Sequence, residues 1–125
     1  MGEMGKEQIF LEVAANLTRF YTFMAHSLRF MMEDAASDQI TLEQVRAQLD
    51  QAWTTLLPRL ERNPVMKGKL EKDYNTTLKL TRDYRNLSRD DPGHESMKQE
   101  ARRLHSYARE KSASLSDLVA IFRSL

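Results

Sequence analysis

Cysteine is absent from the 125 residues, which excludes a disulfide scaffold, a zinc knuckle and a thiolate nucleophile. The four glycines stand at positions 2, 5, 68 and 93, too dispersed to cradle a phosphate, and no Gly-x-Ser-x-Gly elbow occurs. No stretch approaches 18 consecutive apolar residues, so nothing reads as a membrane span. The opening Met1-Gly2-Glu3-Met4-Gly5-Lys6 lacks the apolar core of a secretory signal, and Lys6 stands where a myristoylation site wants Ser or Thr. Together these absences lead to the expectation of a soluble, cytoplasmic protein.

An excess of one charge sign is missing too: 19 Lys and Arg against 18 Asp and Glu leave +1. The halves differ. Residues 1–63 carry six bases and nine acids, a net −3, whereas residues 64–125 carry 13 and nine, a net +4. Such a swing permits a mildly basic face, and equally permits the halves to attract each other.

What the chain does have is helical periodicity, in four segments, with no sustained strand alternation. The first runs from about Lys6 to Asp34 on a seam of Phe10, Val13, Leu17, Phe20, Met24, Leu28 and Met31. The second opens at Thr41, where Thr41 and Gln44 make a capping box. Its seam of Leu42, Val45, Leu49, Trp53, Leu56 and Leu60 stays in phase beyond Pro58, which predicts a helix kinked at the proline but not ended by it. Asn63-Pro64 is a cap and first turn for a third helix, reaching about Ser88 with Met66, Leu70, Tyr74, Thr77, Leu80, Tyr84 and Leu87 inward.

Asp91-Pro92 repeats that signal for a fourth helix. There Met97, Ala101, Leu104, Ala108, Lys111, Leu115, Leu118, Phe122 and Leu125 keep a heptad seam broken once, by Lys111. Ser112-Ala113-Ser114 offers capping residues for a break, but the unbroken phase favours one long helix. The expected architecture is therefore all-α, an elongated antiparallel four-helix bundle, with 1–125 as one domain and residues 1–5 as a disordered lead.

Chemistry-bearing patterns are sparse. Ferritin-like metal sites need Glu-x-x-His pairs, which do not occur, and His26, His94 and His105 fall on different segments without an i, i+4 partner. Asp90, Asp91 and Glu95 around His94 read as helix-capping acids. No metal and no cofactor is expected.

The turn Arg89-Asp90-Asp91-Pro92-Gly93-His94 resembles the Arg–polar–x–x–x–His signature of HEPN ribonucleases, which are also small helical bundles. The resemblance covers these six residues and the fold class. It implies Arg89 and His94 meeting in a dimer cleft, the guanidinium on a scissile phosphate and the imidazole in proton transfer. A second nucleic-acid reading rests on Lys72, Lys79 and Arg82 opposite the seam of helix three, with Arg102 and Arg103 on helix four, as a surface for a phosphate backbone. No exposed aromatics interleave with them, and acids are mixed in.

Helix one carries an apolar excess. Phe23 and Phe30 project roughly 120–140° from its main seam at 100° per residue, and with Phe20 and Ser27 they form a second ridge. One stripe suffices for a helix in a bundle. The second is either the mark of the most buried helix, touching two neighbours and the diagonal one, or an interface rich in aromatics and methionine. The expected function is protein recognition: a helical module that binds a protein partner, or a second copy of itself as a homodimer, through Phe20, Phe23, Ser27 and Phe30. Nucleic-acid engagement is the alternative.

Overall fold

The computed structural model describes residues 5–32, 39–61, 63–87 and 90–124. They form four α-helices, α1 (Lys6–Met32), α2 (Gln39–Leu60), α3 (Pro64–Asn86) and α4 (Gly93–Ser124), and contain no strand. Residues 1–4 of the expected lead, and the expected end of helix one at 33–34, lie outside the described residues.

Helix starts follow local hydrogen-bond chemistry. The Gly5 carbonyl accepts from the N–H groups of Gln8 and Ile9 at 3.0 and 3.1 Å, so Gly5 holds the first turn of α1. Asn63 Oδ1 accepts from the Met66 N–H at 3.2 Å, with Pro64 as the first helical residue of α3. Asp91 Oδ1 accepts from the Gly93 N–H at 2.8 Å, and its carbonyl accepts from the His94 N–H at 3.0 Å. That Asx turn leads into α4 after Pro92.

The start of α2 departs from expectation. It takes in Gln39 and Ile40, so Thr41 stands inside the helix and not at its cap. At its other end α2 continues through Pro58 to Leu60. Pro58 and Thr54 both face solvent, so water can serve the Thr54 carbonyl that the proline leaves without an N–H partner. Leu60, 1% exposed, is fully in the core.

The helices alternate in direction around α1, which touches all three others and lies closest to α4. Small side chains allow that approach: Ala14 and Ala25 of α1 and Ala101 and Ala108 of α4 are all buried, and the hydroxyls of Thr22 and Ser112 meet at 2.7 Å. Phe20, Met24, Leu28 and Met31 form the centre of the core, with Leu49, Leu56 and Leu60 from α2.

Polar bonds tie α3 to this frame. Asp73 Oδ2 accepts from the phenols of Tyr21 on α1, at 3.0 Å, and Tyr107 on α4, at 2.9 Å. Tyr74 donates to Asp50 of α2 and stacks on Trp53 with ring centres 5.1 Å apart. Burial raises all three phenols above their usual range, and the carboxylates that Tyr21 and Tyr74 face raise them further. The buried hydroxyls of Ser27, Thr77 and Thr81 each donate to the carbonyl four residues earlier, so none is left unpaired.

Candidate functional site

The central position of α1 decides the fate of the aromatic ridge. Phe20 and Ser27 are both 0% exposed; Phe20 packs among the rings of Tyr21, Trp53 and Tyr74. Phe23 and Phe30 are half-buried, with Phe23 against the core and edge-on to the His26 ring. The ridge is thus not a surface of four residues. A helix contacting three neighbours consumes more than one apolar stripe, and α1 meets α3 through Phe20 and Tyr21.

The nucleic-acid candidates separate in the same way. Arg89 lies outside the described residues. His94 packs its ring on Tyr84 of α3, centres 4.5 Å apart and 31° from parallel. Lys72, Lys79, Arg82, Arg102 and Arg103 are all exposed. However, Arg82 lies 3.6 Å from Asp83, Arg102 lies 3.6 Å from Glu95, and Arg103 pairs with Glu100 through two hydrogen bonds. Those bonds hold the Glu100 carboxyl below the usual carboxylate range. A phosphate backbone would have to compete with an adjacent acid at three of the five positions.

A different surface stands out. The large apolar side chains exposed among the described residues are Ile9, Phe10, Val65, Met66, Leu118 and Ile121, from 38% for the first two to 72% for Val65. They occupy the opening turns of α1 and α3 and the last two turns of α4. Because Tyr21 meets both Asp73 and Tyr107 while Glu12 of α1 meets Arg59 of α2, those turns share one end of the bundle. Met66 and Leu118, expected to face inward, are therefore exposed: the seam continues past the point where neighbouring helices cover it.

The sequence held a signal for this end in apolar doublets. Ile9-Phe10, Val65-Met66 and Ile121-Phe122 each place an apolar residue beside a seam position, widening the stripe. The charges around this end carry both signs, with Lys6 beside Glu7, Arg59 bonded to Glu12 at 2.9 Å, and Asp117 and Arg123 on α4. Among the described residues no three His, Asp or Glu side chains converge to hold a metal, and no helix is long and apolar enough to cross a membrane. Compared with known protein families, curated proteins and solved structures, the chain matches none.

Proposed function

We propose that this chain is a helical interaction module that associates with a second copy of itself, end to end, through Ile9, Phe10, Val65, Met66, Leu118 and Ile121. The observation that carries the reading is the concentration of exposed large apolar side chains at one end of the bundle. Exposed apolar patches of this kind mark interaction surfaces when they are rimmed by polar residues. The choice of a second copy follows from the rim. Lys6, Arg59, Lys67, Lys69 and Arg123 stand among Glu7, Glu12, Glu61 and Asp117, nearly matched in number, so a two-fold arrangement can set opposite charges against each other with little net repulsion.

Light scattering across a concentration series tests the proposal. Wild type should pass from monomer to dimer, and Leu118→Glu with Ile121→Glu should hold it monomeric while leaving the melting temperature nearly unchanged. Phe23→Ala with Phe30→Ala should do the reverse, lowering the melting temperature and leaving association intact. A wild type that stays monomeric at high micromolar concentration would refute the proposal. So would a dimer that survives the two glutamates and is lost with the two alanines, which would return the interface to helix one.

A further inference from the structure

The outward side of α2 carries a second heptad stripe, set opposite its apolar seam. Gln44, Gln48, Gln51, Thr55 and Pro58 recur at steps of four and three residues, flanked by Ala47 and Thr54, and all are exposed. At 100° per residue they share a sector roughly 120° wide, centred on Gln51. No residue of this sector is charged, in a chain whose residues are 30% charged. The other helices expose charges on their outer sides, such as Arg19 on α1, Lys72 and Lys79 on α3, and Arg102 on α4. Depletion of charge is the compositional mark of the centre of an interface.

The charges that border the stripe stand at its sides or its ends. Asp50 accepts from Tyr74 of α3. Glu43, at the N-terminal end, lies 3.6 Å from Arg85 of α3. Arg59, at the C-terminal end, donates to Glu12 of α1 at 2.9 Å.

Hydrogen-bond character changes along the stripe. Its first half holds the three amides, each able to donate and to accept. In its second half the hydroxyls of Thr54 and Thr55 donate to the carbonyls of Asp50 and Gln51, each at 2.9 Å. What those threonines offer a neighbour is a methyl group and acceptor lone pairs. Pro58 adds one more acceptor, because it leaves the Thr54 carbonyl without an N–H partner in the helix. Donors at one end and acceptors at the other make the face complementary to itself, and only when two copies run in opposite directions.

We propose that α2 pairs side by side with α2 of a second copy, antiparallel, about a two-fold axis at Gln51. That register sets Gln48 of one copy level with Thr54 of the other, and Gln44 level with Pro58. Each pair lies equally far on either side of residue 51. The amides of Gln44 and Gln48 then donate to the Thr54 carbonyl and the threonine oxygens across the axis, and the symmetry repeats every bond. Gln51 meets its own counterpart, an amide that gives and receives at once. Glu43 comes level with Arg59, whereas a parallel pair would set Glu43 beside Glu43 and donors beside donors. The paired length from Gln44 to Pro58 is about 21 Å. Burying little apolar area, this contact is weaker than the apolar end and forms at higher concentration. It does not rest on the end-to-end contact; where both form, dimers join laterally into larger assemblies.

The test uses the full chain carrying Leu118→Glu and Ile121→Glu, so that the apolar end contributes nothing whether or not it associates. The chain has no cysteine, so single introduced thiols report proximity to a short bismaleimide cross-linker at millimolar protein. Gln51→Cys should link to itself at least roughly tenfold faster than Lys72→Cys on α3, because pairing raises the local thiol concentration. Gln44→Cys and Pro58→Cys should each link slowly alone and fast when mixed, which reads the antiparallel register directly. Charge on the axis gives a second readout. Gln51→Glu and Gln51→Lys should each remain monomeric in sedimentation at the concentration where the parent dimerises, and an equimolar mixture of the two should pair again. Gln51→Cys linking no faster than Lys72→Cys would overturn the proposal, and is the result expected of a face kept neutral for a different protein. Fast self-linking of Gln44→Cys and of Pro58→Cys with a slow mixture would mean a parallel pair and would also overturn it. So would a Gln51→Glu variant that associates as its parent does.

Discussion

Asp73 ties three helices together, because one carboxylate oxygen receives the phenols of two other helices. Asp73→Ala leaves both hydroxyls without that acceptor, and an unsatisfied polar group costs about 1–3 kcal/mol. We expect a loss near 3 kcal/mol in urea denaturation, against about 1 kcal/mol for Tyr107→Phe, which removes one bond and keeps the ring. A loss for Asp73→Ala no larger than for Tyr107→Phe would show the shared carboxylate to be dispensable. The same cluster sets a pH dependence. Tyr21, Tyr74 and Tyr107 hold their protons more tightly when folded, whereas phenols of the unfolded chain titrate near about 10. The unfolded state therefore sheds protons first, and stability that is complete below about pH 10 declines as pH rises through and beyond that value. Denaturation at about pH 8 and about pH 11 should show the decline in wild type and a smaller one in Tyr21→Phe; equal declines would remove Tyr21 from the account.

At the scale of the element, helix phase was legible because it is local. Asn63 and Pro64 identify the start of α3 by residue type alone, and Leu60 keeps step across Pro58 since its neighbours Leu56 and Leu49 require the same face. Truncating Leu60 to Ala should cost about 2–4 kcal/mol, as filled core positions do; a cost under about 0.5 kcal/mol, usual at the surface, would place the end of α2 before it. The fourth helix is likewise continuous through Lys111 and Ser112–Ser114. Lys111 occupies a seam position but is exposed, its ammonium 5.8 Å from the centre of the Tyr107 ring. The reason lies beyond it: Leu115 is half-buried and Leu118 is exposed, so the seam has already left the core. Amide exchange should show protection through 108–118 that falls off gradually toward Ser124. A fast-exchanging gap confined to 112–115 would contradict the single helix.

Across the whole molecule, what sequence periodicity does not carry is which stripe faces which neighbour. An apolar seam looks the same whether a helix covers it or not, so Phe20 and Phe10 read alike, though one is 0% and the other 38% exposed. Nor does periodicity reveal that α1 is the hub, or that Ser112 answers Thr22 across the contact of α1 with α4, since Ser112 by itself is an ordinary capping type. That unequal packing has a kinetic side. Close approach through alanine, serine and threonine makes α1 and α4 the firmest pair, while α3 touches its neighbours less and joins them through Leu70 and Tyr84 in the core, ring contacts and phenol–carboxylate bonds. Native-state hydrogen exchange should find α3 opening at a lower free energy than α1, with Asp73→Ala widening the difference. Simultaneous opening of all four helices at every denaturant concentration would speak against it.

The placement of the apolar side chains at one end also fixes a length. The 32 residues of α4 extend roughly 48 Å at 1.5 Å each. Two copies meeting at that end would form a strut on the order of 90 Å, twice the length of one helix. The opening turns of both copies of α4, at Gly93, would then sit at its far tips. Whatever bound a tip would be held at that fixed separation from its counterpart, a spacing set by nothing more than the number of residues in a helix.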